Sequence, residues 1–239
     1  MKRLYLLLGG ISALALIIYA LVPNREFKES LYPISESTIV RTYDDQADGG
    51  KSIAQLSIVD SALLFNCKLH NDTTKPAWCG LIWDLNSQKN DDYRNWTFVD
   101  SLILNISSQN INEIIIKVWT YDPDVTDPSK VNSFRPLIKE WRVKGGEERL
   151  AIPMNELYVP DFWYKDNNVN KKLKQRHQES VARFEIAPGW KVARDSEFSI
   201  SIKSIDVKGI SNLAFGVILF FFLVIVSIAI GFRQKIKNE

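Results

Sequence analysis

Histidine and cysteine are nearly missing from this chain of 239 residues, which has two of each. The histidines, His70 and His177, fall at a predicted hairpin end and in a basic loop, so no His-rich metal spacing exists. Neither a nucleophile elbow nor a phosphate loop occurs. Acid pairs such as Asp91-Asp92 and Glu147-Glu148 are ordinary surface features that nothing in the sequence ties into an acid–base couple. The chain therefore reads as a non-enzyme. Excess charge is missing as well: 30 Lys and Arg stand against 28 Asp and Glu, a net charge of +2. By balance alone neither a polyanion-binding protein nor an acidic solvating one is indicated. There is no internal repeat and no low-complexity tract, and helical periodicity is scarce between residues 37 and 209.

What is present begins at the two ends. Residues 4–22 and 213–232 are apolar runs without a charge, each near the roughly 20 residues that cross a bilayer core. Lys2 and Arg3 precede the first, which leaves a cleaved secretory signal open. Its length exceeds a signal core of about 7–15 residues, however, and no small-x-small site closes it before Pro23-Asn24-Arg25, so an uncleaved anchor is the expectation. Two spans put both termini on one side, which Lys2, Arg3, Arg233, Lys235 and Lys237 mark as cytoplasmic. Arg25, Lys28, Lys203 and Lys208 flank the other side, and long translocated domains tolerate such charges. The expected organisation is a span at 1–22, a tether at 23–36, one outer domain at 37–209, a second span at 213–232 and a cytoplasmic tail at 233–239. Both cysteines fall in the outer part, where an oxidising compartment lets them pair.

Strand patterns fill the outer domain. Leu63, Phe65, Cys67 and Leu69 alternate with Leu64, Asn66 and Lys68, and Cys79, Leu81, Trp83 and Leu85 repeat that period of two. Pairing these segments as an antiparallel hairpin sets Cys67 opposite Cys79, Phe65 opposite Leu81 and Leu63 opposite Trp83, with residues 71–75 as the turn. Directly opposed Cα atoms lie roughly 4.5–5.5 Å apart, within disulfide range. Two free core thiols are the other reading. Further alternations at Leu102–Ile106, Ile114–Trp119, Leu137–Val143 and Phe198–Lys203, punctuated by Asp122-Pro123, Gly145-Gly146 and Pro188-Gly189, predict an all-β antiparallel sandwich.

Five stretches appear in a familiar order: Tyr43-Asp-Asp-Gln-Ala-Asp-Gly-Gly-Lys-Ser52, Cys79-Gly-Leu-Ile-Trp83, Phe98-Val-Asp-Ser-Leu-Ile-Leu104, Val159-Pro-Asp-Phe-Trp163 and the closing strand from Phe198 to Gly209. Over roughly residues 37–209 they resemble galactose-binding-like β-jelly rolls, the form of carbohydrate-binding modules. In particular they resemble extracytoplasmic sensor domains of bacterial membrane signalling proteins. The resemblance implies a periplasmic module on the bacterial inner membrane that recognises a carbohydrate or other small molecule. The chain departs from those receptors after Phe232, where no cyclase or kinase domain follows; it is then the input piece of a longer receptor, or it acts through a homodimer or a signalling partner in the membrane. A docking subunit of an envelope complex, without a small-molecule ligand, is the alternative. Nucleic acid is excluded by the compartment.

Candidate site residues divide in the same way. Trp119 and Tyr121 lie on the face opposite Ile114, Ile116 and Val118, and with Asn132 and Arg135 following they can stack on a sugar face and bond its hydroxyls. In the resembling fold the aromatic of the 159–164 corner packs under the sandwich, which makes Phe162 or Trp163 core and Tyr164 the exposed ring. Asp44, Asp45 and Asp48 before Gly49-Gly50 can wrap a structural calcium, as jelly rolls often do, or form an acidic Asx turn. Lys165, Lys171, Lys172, Lys174 and Arg176 are a landing for an acidic glycan or lipid headgroup, or a solvated loop.

Overall fold

Period-two alternation becomes strand wherever one face finds a partner to bury it, and here it does so in two facing layers. The computed structural model describes residues 2–21, 26–34, 38–75, 77–85 and 93–238. In chain order the elements are α1 (Lys2–Leu21), β1 (Glu26–Tyr32), β2 (Ile39–Asp44), β3 (Ile53–Val59), β4 (Ala62–Lys68), β5 (Cys79–Asp84), β6 (Val99–Gln109) and β7 (Glu113–Thr120). They continue with β8 (Arg135–Arg142), β9 (Gly146–Pro153), α2 (Asp161–Asp166), β10 (Val181–Pro188), β11 (Glu197–Ile210) and α3 (Asn212–Asn238). One antiparallel sheet runs β3-β4-β11-β6-β9, with β1 also paired to β11; the other runs β2-β5-β10-β7-β8. The chain divides into two units: Glu29–Val207, which is the sandwich, and Met1–Lys28 with Lys208–Glu239, which holds the long helices.

The core lies between the sheets. Leu63 and Phe65 of β4, Phe198, Ile200 and Ile202 of β11, and Leu102 and Leu104 of β6 meet Leu81 and Trp83 of β5, Phe184 and Ile186 of β10, and Ile114, Ile116 and Val118 of β7, all buried. Edge-to-face pairs Phe65–Phe198 and Trp83–Phe184, with centroids 6.2 and 5.3 Å apart, fill its width. The Trp83 indole finds its acceptor at the Leu31 carbonyl, 3.1 Å away, which spares a fully buried N–H the cost of going unpaired.

Three expectations change. First, β4 and β5 do not form a hairpin: β4 pairs β3 and β11, while β5 pairs β2 and β10. Cys67 and Cys79 are disulfide-bonded across the sandwich, with Cα atoms 6.5 Å apart. The alternation placed both cysteines on inward faces correctly, but an inward face serves a partner in the other sheet as well as one beside it. Second, the expected tether at 23–36 contains a strand, β1, because Leu31 and Tyr32 are buried and the Tyr32 hydroxyl donates to the Ser61 carbonyl at 2.8 Å. Third, only one helix among the described residues is long and apolar enough to cross a membrane, the 19 residues Leu213–Gly231; the apolar part of α1, Tyr5–Leu21, is shorter.

Candidate functional site

Charge buried on a sheet face must be answered by donors. β10 puts Glu185, 2% exposed, on the outer face of the five-stranded sheet, in register with Ile82 of β5 and Lys117 of β7. It accepts from Lys117 Nζ at 2.5 Å, from Trp119 Nε1 at 2.7 Å and from the Tyr43 hydroxyl. Tyr43 lies across Gly80, its register partner, where an added Cβ would come within 2.4 Å of the ring. Burial first, and then the Glu185 charge and hydrogen bond, hold the Tyr43 hydroxyl well above the usual phenol range, so it remains a donor. Through this network the edge of the Trp119 ring is fixed.

A second carboxylate does the same two strands further on. Glu140, on the outer face of the edge strand β8, accepts from the Tyr158 hydroxyl at 2.6 Å and from Trp190 Nε1 at 3.0 Å. Burial pushes Glu140 up, but these bonds outweigh it and its carboxyl sits below the usual range. Burial and then Glu140 push the Tyr158 phenol up to about 12. Tyr158 is also tied to β8 through its backbone, N–H to the Ile138 carbonyl at 2.9 Å and carbonyl to the Ile138 N–H at 2.8 Å. The chain then turns at Pro160, whose fixed φ suits a helix start, into α2. That short helix turns Trp163 inward and leaves Phe162 out, 48% exposed and edge-on to Trp190 at 6.2 Å.

Two clefts open on either side of Phe162. One, of about 360 Å3, is walled by Ile138, Tyr158, Val159, Pro160, Asp161, Phe162 and Trp190. The other, of about 530 Å3, is walled by Trp119, Lys130, Asn132, Ser133, Pro136, Phe162, Trp163, Asp166 and Asn167. Rings with anchored edges, beside amides and a carboxylate, make a surface that stacks on an apolar face and bonds the hydroxyls around it.

Trp119 and Asn132 line the second cleft. The other expected ligand residues are elsewhere. Tyr121 stacks on Tyr93, centroids 4.9 Å apart, packs edge-on against Phe134, and lines neither cleft. Arg135 is 1% exposed: it pairs with the equally buried Asp122, donates from Nη1 to the Leu173 carbonyl at 3.1 Å, and lies 4.5 Å over the Trp163 ring. Tyr164, expected outside, is 8% exposed, packed edge-on against Trp163. A helical turn, not an extended corner, reverses which rings of 162–164 face solvent.

The acidic loop does not fit a calcium ion. Asp44 caps a 3-10 turn, accepting from the Gln46 N–H at 3.2 Å. Asp45, fully buried, turns away to accept from the backbone N–H groups of Ser52 and Trp78, each at 2.9 Å. Burial works against its charge, but these bonds and nearby His70 hold its carboxyl below the usual range. Among the described residues no group of three His, Cys, Asp or Glu side chains is set to hold a metal ion, so Asp44, Asp45 and Asp48 do not converge.

The sandwich has the fold of carbohydrate-binding modules. It is similar to the family 11 module of the cellulosomal cellulase Lic26A-Cel5E of Clostridium thermocellum, with a TM-score of 0.52 and 10% identity over 77% of this chain and 95% of that one. A family 11 module of the same organism, in complex with a β-1,3-1,4-mixed-linked tetrasaccharide, gives 0.48 and 10% over 75% and 94%. The family 30 module of its cellulase Cel9D-Cel44B gives 0.44 and 12% over 76% and 96%. At such identity the likeness is one of fold. No protein-family model and no curated protein sequence matches the chain.

Glu140, Tyr158, Phe162, Asn167, Trp190 and Glu185 are the site residues that sequence patterns did not single out for this role. For Glu140 a signal existed: in β8 it shares a parity with Pro136 and Ile138, opposite to Leu137. Trp190, directly after the Pro188-Gly189 turn, had one too, since a large ring at a turn has little core within reach.

Proposed function

We propose that this domain binds carbohydrate in the aromatic clefts beside Phe162, as the recognition part of a membrane-anchored protein of the bacterial envelope. The observation that carries the proposal is the set of rings at Phe162, Trp190, Tyr158 and Trp119: Glu140 holds the polar edges of Tyr158 and Trp190, Glu185 holds that of Trp119, and Phe162, Tyr158 and Trp190 are exposed. Stacking on such rings needs no ordering of side chains on binding. The carbohydrate-binding-module fold supports the reading. Binding without turnover is proposed because Glu140 is engaged by two donors. Anchoring is proposed through α3, with α1 as a second span and the sandwich in the periplasm. Signalling would then pass to a partner in the membrane.

The test uses the full chain in a detergent without a sugar headgroup, such as a dimethylamine oxide. Cello-, xylo- and mixed-linkage oligosaccharides are titrated while tryptophan fluorescence and melting temperature are followed, since a ligand of the folded state raises the latter. At least one series should bind, and Trp190→Ala and Phe162→Ala should each weaken it at least tenfold with the melting temperature of the free protein kept within a few degrees. Unchanged binding by both variants overturns the reading and favours a docking role for the same apolar surface.

A further inference from the structure

The sandwich domain is acidic overall: residues 29–207 hold 26 Asp and Glu against 22 Lys and Arg. One segment runs against that sign. Residues 165–176 carry Lys165, Lys171, Lys172, Lys174 and Arg176 with a single acid, Asp166. Most of this charge is not neutralised locally. Lys171 pairs with Asp161 at 2.8 Å. Lys165, Lys172 and Lys174 are exposed and have no carboxylate within ion-pair distance among the described residues. Arg176 is half-buried, yet its guanidinium donates to the carbonyls of Leu157 and Met154 and to the Gln178 amide, not to a carboxylate.

The segment is also fixed against the cleft. Lys165 belongs to α2, which supplies Phe162, Trp163 and Asp166 to the cleft wall. Asn167 donates to the Asn132 carbonyl at 3.3 Å, the Lys171–Asp161 pair ties the loop back to the start of α2, and the Leu173 carbonyl receives Arg135, whose neighbour Pro136 lines the same cleft. Cations carried on the helix that walls the cleft and on the loop tied to it, next to a lining that itself includes Lys130, Asp161 and Asp166, raise the local concentration of an anion that also has a face to stack.

We propose that the clefts select an anionic polysaccharide, one carrying carboxylate or sulfate groups, over its neutral counterpart. This rests on the carbohydrate reading above. Lys165, Lys172 and Lys174 meet the acid groups, Phe162 and Trp190 stack on the ring faces, and Asp166, Asn132 and Asn167 accept or donate to hydroxyls.

The experiment compares acid and neutral forms of the same chain: polygalacturonate against its methyl ester, and dextran sulfate against dextran, with short-chain phosphatidylglycerol as a third arm. The full chain is used in a zwitterionic detergent at about 50 mM salt. One acid form should bind about tenfold or more tightly than its neutral form, the carboxylate and sulfate pairs showing which group is read. That advantage should fall about tenfold in the double variant Lys172→Glu and Lys174→Glu, and on raising the salt to about 0.5 M, where the screening length is only a few ångströms. The acid form must also lose affinity in Trp190→Ala. Equal binding of acid and neutral forms overturns the anionic preference and leaves carbohydrate binding standing. Acid binding that ignores Trp190→Ala is adhesion to lysines and overturns it as well, and preference for phosphatidylglycerol transfers the lysines to a membrane role. Binding of no glycan at all removes both readings together.

Discussion

Arg135 and Asp122, at 1% and 2% exposure, are opposite charges that water cannot reach. Removing one partner leaves the other buried and unpaired, a loss of about 3–5 kcal/mol. Arg135→Leu should therefore destabilise the sandwich by that amount in urea, and the double variant with Asp122→Leu should recover part of it; a double variant as unstable as the sum of the singles contradicts the pairing. Glu140 makes a prediction in pH. Its carboxyl is held below the ordinary glutamate range, so its contribution to holding Tyr158 and Trp190 is complete above that range and lost as pH falls through the lowered value. Tyr158 is held above its ordinary value of 10.0, so its contribution is complete below that value and is lost only as pH rises towards about 12. Ligand affinity should be flat from about pH 6 to pH 9 and decline only below the ordinary glutamate range, as Glu140 takes up its proton. Glu140→Gln should flatten the acid limb, and an unchanged limb would show that Glu140 does not order the rings.

Among the elements, the disulfide joins β4 of one sheet to β5 of the other. Closing this short loop should contribute about 3 kcal/mol through the unfolded chain. Replacing both cysteines by alanine should lower stability by that amount, with the same loss on reduction of the native protein. Strand positions and inward faces here were legible from alternation alone, because a period of two depends only on which side is buried. The partner of each strand was not, because β4 and β5, adjacent in sequence, sit in different sheets. The same limit explains the site. Trp119 was readable as an outward ring on β7, whereas Tyr164 and Arg135 were misplaced by one six-residue helix and one buried carboxylate, Asp122. Local pattern carries face; it does not carry which side chain from a distant segment covers that face.

For the whole molecule, the two units make separate demands on their surroundings. The Leu213–Gly231 stretch offers an apolar length fit for a bilayer, while the clefts beside Phe162 present rings and polar side chains to an aqueous space. The sandwich also has an unusual pair of ends. Its first strand, β1, and its last, β11, are hydrogen-bonded neighbours in one sheet, so the points where the chain joins and leaves the domain are side by side. A body built this way is a cassette: it can be spliced into a surface loop of a host protein without prising the host's loop apart, or reconnected head to tail. A circular permutant that links residue 207 to residue 29 and opens the chain at the Asp60-Ser61 turn, where both residues have positive φ, should keep the Cys67–Cys79 bond and melt cooperatively. Such a domain is portable, and the clefts it carries move with it as one piece.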